Sequence, residues 1–256
     1  MCICGLYTHH VLPRFFAPDA GRSAEDPVVV LPAEEAAHLS RVLRLTTGDS
    51  VRVFNGRGDE WQATVREVKR QRVVVTLVDK VAAARESRIS IALAVAVLKA
   101  DKMDQVIRDA VMLGVAEIEP LVTERTETSL SAVMRGTRAA RWQRIAMASV
   151  KQCGRAVVPL VKLAVSLPAW IDTHKGTSWL MLVEPGAGAE VRELREIRGS
   201  SAVTVMIGPE GGWTSEELQR AAVAGATLVT LGSRTLRADA APIVALTAFR
   251  TLWDDL

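Results

Sequence analysis

Between Val28 and Val78 the apolar residues come in short, partly alternating runs, VVVL, VRVF, WQATVREV and VVVTLV, parted by NGRGD and KRQR turns. Runs of this length bounded by turn residues predict a small β-rich unit. One helix interrupts it after Pro32, with Ala36, Ala37, Leu39, Val42 and Leu43 on one side. The stretch AAARESR, residues 82–88, is small and charged and has no apolar period. A boundary is expected there, with one domain over 1–82, whose residues 1–12 read as an extension, and a second over 88–256.

Past the boundary, apolar segments alternate with amphipathic ones. Strands are expected over 89–98, 116–122, 179–183, 203–207 and 228–231, and helices over 102–113, 137–152, 215–224 and 242–253. Continuously apolar strands separated by helices predict an α/β fold with a parallel sheet covered on both faces. Asp101 is placed to cap the first of these helices and Gly114 to end it. Thr214 with Glu217 spells a capping box whose helix closes at Gly225, and Pro242 suits a first helical turn.

Composition narrows the class. With 49% hydrophobic and 24% charged residues among 256, the chain can bury a core, and disordered, collagen-like and coiled-coil readings fall away. The longest apolar run, 89–98, is far short of the roughly 20 residues a membrane helix needs. No basic, apolar and small-residue leader opens the chain, so a cytoplasmic protein is expected. Cys2, Cys4 and Cys153 offer neither a disulfide framework nor a CxxC zinc site. Cys2, Cys4, His9 and His10 have ligand chemistry but no partner elements to hold a tetrahedral geometry, so no metal is expected.

The formal net charge of +3 names no partner, but its distribution is uneven. Between Glu127 and Asp172 lie Arg135, Arg138, Arg141, Arg144, Lys151, Arg155 and Lys162, with no acid among them. On a helical wheel Arg141, Arg144 and Lys151 fall opposite Trp142, Ile145 and Ser149. Solvated faces usually mix signs, so this run favours phosphate contact over a merely solvated helix. In the β-rich part Arg14, Arg41, Arg44, Arg57 and the turn at 69–72 could extend that surface. Residues 1–82, with 11 basic and 10 acidic side chains, carry no strong field.

Three loops follow expected strands: EPGAG at 184–188, GPEGGW at 208–213 and LGSRTLRADAAP at 231–242. Ligands of open α/β sheets bind beyond the carboxyl ends of the strands, so these loops define one pocket, although a glycine after a strand is commonly just a turn. Gly186 and Gly188 begin like a dinucleotide fingerprint, but Val191 stands where its third glycine belongs. Neither a phosphate-binding GxxxxGKS/T loop nor a GxSxG elbow occurs, and the four histidines, at 9, 10, 38 and 174, supply no obvious triad base. His38 and His174 read as surface or hydrogen-bonded residues.

The pair IGPEGGW at 207–213 and LGSRTLRADAAP at 231–242 resembles the signature of the bacterial 16S rRNA uridine-N3 methyltransferases, the ribosomal RNA small subunit methyltransferase E family of the SPOUT superfamily. PRFF at 13–16, HLSRVLR at 38–44, FNGRG at 54–58, DKMD at 101–104, LGV at 113–115, TER at 123–125 and QCGR at 152–155 extend the resemblance over nearly the whole chain.

The resemblance implies a PUA-like RNA-binding β-barrel, then a trefoil-knotted, parallel-sheet α/β domain that dimerises and holds S-adenosyl-L-methionine between its knot loops. The implied partner is 16S rRNA in the small ribosomal subunit. Knotting does not follow from pattern, because chain threading is essentially absent from ordinary folds. Glycine turns let backbone groups approach an adenine and a ribose, so Gly186, Gly208, Gly211, Gly212 and Gly232 are expected contacts, with Leu182, Ile207, Leu231, Leu236 and Ala241 as apolar walls. Glu184 or Glu210 would face the ribose hydroxyls or the sulfonium, unless Glu210 caps the helix that follows.

Uracil N3 is a poor nucleophile until its imide proton leaves. Arg234 and Arg237 are the candidates to orient the base and stabilise the forming anion, and Asp239 is the candidate proton acceptor. Arg125 of the TER motif joins Arg14, Arg41, Arg44, Arg141, Arg144, Lys151 and Arg155 as an RNA-facing cation. N3 lies on the Watson–Crick edge, so the nucleotide must be unpaired or extruded. The chain departs from the family pattern at Asp109 and Met112, which replace Lys and Glu, at Lys151, which replaces Glu, and at 237–241, RADAA for RTETA. The other readings are a ribose 2'-hydroxyl methyltransferase of the same superfamily and a noncatalytic RNA-binding factor.

Overall fold

A computed structural model describes residues 12–22, 27–70, 72–187 and 191–255 and divides the chain into two units. Residues 1–11, with Cys2, Cys4, His9 and His10, lie outside the described residues, as do Gln71 of the KRQR turn and Gly188 of EPGAG. The first unit ends at Arg85, inside AAARESR, and takes in Gly154–Val158; the second holds Glu86–Cys153 and Pro159–Leu256.

The first unit is built on strands β1 (Arg14–Phe16), β2 (Val28–Val30), β3 (Ser50–Phe54), β4 (Glu60–Lys69) and β5 (Arg72–Val81), in sheet order β1-β3-β4-β5-β2. β1 runs parallel to β3 and the other pairs are antiparallel. Alternation does what it predicts: Val51, Val53, Val65, Val73 and Val75 turn inward onto Phe15 and Leu39. β4 breaks register between Gln62 and Ala63 and again between Val65 and Glu67, irregularities that bend a long strand.

The helix after Pro32 differs from its expected form. It is α1 (Ala33–Ala37), which widens at once into a π-helical turn, His38–Val42, closed by Leu43 N–H donating to the His38 carbonyl at 3.0 Å. The wider turn rotates later residues off the apolar side. Ala36 and Leu39 are buried as expected, whereas Val42 is 66% and Leu43 40% exposed. Gly154–Val158 belongs to this unit through its backbone: Val158 N–H donates to Gly56 O at 3.0 Å and Gly58 N–H to Ala156 O at 3.1 Å. Gly56 is required at that crossing, since its φ is +79° and a Cβ would sit 2.8 Å from the Phe16 ring.

The second unit carries strands β6 (Ser90–Ala96), β7 (Glu117–Val122), β8 (Leu160–Val161), β9 (Val165–Ser166), β10 (Trp179–Leu182), β11 (Arg192–Glu193), β12 (Ala202–Ile207) and β13 (Thr227–Thr230). Its helices are α2 (Lys102–Met112), α3 (Leu130–Arg135), α4 (Arg138–Cys153), α5 (Leu167–Thr173), α6 (Ser215–Val223) and α7 (Ala241–Leu252). The sheet order is β11-β13-β10-β12-β6-β7-β8, with β9 also on β7, and every pairing is parallel. β10 therefore lies between β12 and β13, and the loops leaving these three strands emerge side by side.

The expected strands and long helices of this unit all form, with ends shifted by a residue or two. The capping box of Thr214 and Glu217 is complete, and Pro242 opens α7. Asp101 does not cap α2: its own backbone is helical, φ −86° and ψ −2°, whereas a side-chain cap needs an extended residue. Helices α3 and α5, at 6 and 7 residues, are too short to show a period. They are started instead by Ser129 and Ser166, whose side chains accept from Ala132 and Ala169 N–H. Among the described residues no helix is long and apolar enough to cross a membrane, and no three metal-ligating side chains gather.

Candidate functional site

The loops after β10, β12 and β13 converge on a cavity of about 330 Å³. Leu182, Ile207, Leu231, Leu236 and Ala241 form its apolar walls, and Glu184, Gly208, Glu210, Gly212, Arg234, Arg237 and Asp239 also line it. All three expected catalytic residues and most of the expected cofactor residues thus share one space. Gly186, Gly211 and Gly232 are not part of the lining. Lys102, Pro209, Trp213 and Thr235 are, although pattern alone gave them no role.

The glycines shape this space by what they let approach. Trp213 lies against Gly208 so closely that a Cβ there would stand 2.9 Å from the indole, and Trp213 Nε1 donates to Leu182 O at 2.8 Å. One ring thereby ties the β12 loop to the end of β10. Gly212 has φ +68°, and a Cβ there would meet Glu184 Oε1 at 3.3 Å. Arg125 braces the same loop from beyond β7, its Nη1 donating to Gly211 O at 2.8 Å. That contact gives Arg125 a structural role beside its expected one: the guanidinium holds the loop at Gly211, and the residue remains exposed.

Glu210 does not cap α6, whose N-terminus is already closed by Thr214 and Glu217. It accepts instead from Lys102 Nζ at 3.0 Å and from Lys99 N–H at 3.5 Å. Burial pushes the Glu210 carboxyl up, but the Lys102 hydrogen bond and the backbone N–H bonds outweigh it and hold the group below its ordinary value. Arg237 grips Asp239 with two hydrogen bonds, Nε to Oδ1 at 3.1 Å and Nη2 to Oδ2 at 2.7 Å. Desolvation raises the Asp239 carboxyl, yet the Arg237 bonds, a backbone bond and the nearby charges of Arg237 and Lys102 leave it below its ordinary value. A carboxylate so stabilised is a poor proton acceptor. The geometry suits Asp239 to orienting Arg237 rather than to taking the N3 proton.

The cations expected to face RNA separate into distinct environments. Arg41, Arg44 and Arg144 are exposed, with Arg44 held at φ +54° where the π-helical turn ends. Lys151 is half-buried. Arg141 is exposed but ion-paired to the buried Asp104. Arg155 is a correction, because it is buried, and Arg14, only 10% exposed, is committed to protein partners. Arg14 donates to both Glu60 carboxylate oxygens and to the Gly154 and Arg155 carbonyls. Lys162, at the end of the acid-free run, bonds Glu117 at 2.9 Å and Glu119 at 2.8 Å. Those acids lie on β7, next to β8 in the sheet, so a window along the chain misses them.

A family profile for an RNA methyltransferase domain matches residues 85–250, and one for an RNA methyltransferase PUA domain matches residues 31–78. The ribosomal RNA small subunit methyltransferase E of a Synechocystis strain is 31% identical over 233 residues, 89% of this chain and 74% of that protein. The chain belongs to the ribosomal RNA small subunit methyltransferase E family. A Rickettsia conorii member is 29% identical over 236 residues, covering 90% of this chain and 93% of its own length. The crystal structure of a Neisseria gonorrhoeae member bound to S-adenosyl methionine superposes with a TM-score of 0.84 at 32% identity, over 94% of this chain and 98% of that one. The α/β methyltransferase fold preceded by a PUA-like unit is therefore that of the methyltransferase E family.

Proposed function

We propose that this chain is an S-adenosylmethionine-dependent methyltransferase that modifies uridine N3 in the 16S rRNA of the small ribosomal subunit. The observation that carries the reading is one cavity that joins apolar walls, glycine turns and a carboxylate-clamped arginine. These residues fit the cofactor. Leu182, Ile207, Leu231 and Leu236 suit the faces of an adenine, Gly208 and Gly212 let backbone come close, and Glu184, which lines the same cavity, would accept from ribose hydroxyls. The Neisseria relative bound to S-adenosyl methionine supports the same choice.

When bound, the cofactor supplies an activated methyl group. The chain's own work is to bind, orient and stabilise charge. Trp213 packs against Gly208 as part of the cavity wall and holds the loop after β12 in place. Arg237, aimed by Asp239, stabilises negative charge as uracil loses its N3 proton, and Arg234 orients the base. Arg41, Arg44 and Arg144 meet phosphates while the target nucleotide is extruded. A trefoil path through the cavity loops, assembly as a homodimer and a cytoplasmic location belong to the same reading.

The test is to incubate the protein with methyl-labelled S-adenosylmethionine and unmodified small subunits, then digest the RNA to nucleosides. Label in 3-methyluridine is expected. Label in 2'-O-methylated nucleosides, or RNA binding without label, would overturn the assignment.

A further inference from the structure

Arg234 and Arg237 reach the cavity from the loop after β13, whereas Lys102 reaches it from the first residue of α2. The turn that delivers Lys102 is strained. Ala100 has φ +50°, a left-handed conformation that an L residue with a Cβ adopts at an energetic cost. Such strain persists only where surrounding contacts fix it, and it gathers at functional sites. Glu210 supplies the fixing contacts, since one of its oxygens accepts from both the Lys99 N–H at the start of that turn and the Lys102 ammonium.

Besides Arg234, the cavity lining thus holds two cations on separate elements, each clamped by its own carboxylate: Lys102 by Glu210 and Arg237 by Asp239. Two positioned cations match the chemistry of a uracil losing its imide proton, because the charge spreads from N3 onto the carbonyl oxygens that flank it on both sides. One cation can serve each oxygen.

We propose that Lys102 is a second catalytic cation, paired with Arg237 across the target base, and that Glu210 is the residue that positions it. This rests on the function proposed above. In the step it assists, the N3 proton passes to solvent water. The N3 electron pair forms the new bond to the methyl carbon while the carbon–sulfur bond breaks, its electrons staying on sulfur. The Lys102 ammonium stabilises the charge on one uracil oxygen and is itself unchanged.

Single-turnover methyl transfer should be followed against pH for wild type, Lys102→Met, Lys102→Arg and Glu210→Gln, with cofactor affinity measured by calorimetry and folding by thermal melts. Lys102→Met should lower the rate by about 100-fold near neutrality while cofactor affinity moves by less than about threefold. The deficit should shrink as pH rises, because a base already ionised needs less help. Lys102→Arg should recover most of the rate, and Glu210→Gln should lie between. A fall in cofactor affinity as large as the fall in rate would overturn the proposal by placing Lys102 on the cofactor's carboxylate. A deficit independent of pH, or one that tracks a lowered melting temperature, would overturn it as a structural effect. If wild type forms 3-methyluridine and Lys102→Met matches it, only the role of Lys102 fails; if wild type forms none, both readings fail.

Discussion

Two arginine–carboxylate pairs in this chain share one geometry and differ in surroundings. Arg14 holds Glu60 with bonds of 3.0 and 2.9 Å, and Arg237 holds Asp239 with bonds of 3.1 and 2.7 Å. The first pair is 10% and 3% exposed, with Arg14 also over the Phe54 ring at 4.8 Å and bonded to two carbonyls of Gly154–Val158. In the second, Arg237 is 76% exposed and lines a cavity. Motif reading places each arginine in a family motif and expects each to meet RNA, Arg14 as a surface cation and Arg237 at the target base. Burial separates them. An arginine satisfied from several sides fixes the fold, while one aimed by a single carboxylate keeps N–H groups for a ligand.

The difference can be broken by removing either side of each pair. Glu60→Ala leaves Arg14 buried without its charge partner and should cost about 3–5 kcal/mol of stability, read as a fall in the urea midpoint of the first unit's unfolding. The folded fraction should still bind cofactor normally. Arg237→Ala should do the reverse, changing stability by about 0.5 kcal/mol or less while lowering methyl transfer by about 10²–10³-fold with little change in cofactor affinity. If Arg237→Ala unfolds the protein, or loses cofactor affinity in step with rate, the arginine is a scaffold or cofactor residue and the contrast collapses.

How far the sequence disclosed this contrast depends on what kind of contact makes each feature. Apolar strands and the Thr214–Glu217 box are legible because their causes lie within a few residues, and the loops after β10, β12 and β13 follow from the strands. Lys102 stands in the DKMD motif, but the motif gave it no role in the site. Helical periodicity places it at a solvated helix start, and only the packing of α2 beside the β12 loop brings it to Glu210. The membership of Gly154–Val158 in the first unit rests on backbone bonds to Gly56 and Gly58, donors and acceptors that nearly every residue owns. Val42 and Leu43 failed for a third reason: the π-helical turn changes the period on which the expectation was built.

Asp239 sharpens the comparison at smaller amplitude. Asp239→Asn keeps the shape but removes the charge that aims Arg237, and should lower the rate by about tenfold without changing cofactor affinity. The sign of its pH dependence is fixed by the depressed carboxyl. A group whose folded pKa lies below its unfolded value contributes fully above the unfolded value and loses that contribution only as pH falls through the folded one. Breaking the Arg237–Asp239 pair should therefore take a lower pH than protonating an ordinary aspartate. An acid limb in the wild-type rate profile that vanishes in Asp239→Asn and sits at or above the ordinary carboxylate pKa would show that Asp239 titrates as a base.

The smallest effects concern α4, where the same distinction recurs between neighbours. Arg144 is exposed and makes no ion pair among the described residues, whereas Arg141, one turn away, is paired to the buried Asp104 of α2. If Arg144 meets a phosphate, Arg144→Ala should weaken binding to 16S rRNA evenly across sequences and reduce the slope of log affinity against log salt by about one counterion or less. Stability should not move. Arg141→Ala removes the partner of a buried carboxylate, so it should lower the melting temperature and change the salt slope less than Arg144→Ala does. Equal slopes in wild type and Arg144→Ala would make this face of α4 merely solvated. A larger slope change from Arg141→Ala would mean that its pairing with Asp104 opens on RNA, and that burial of the partner does not by itself withdraw an exposed arginine from binding.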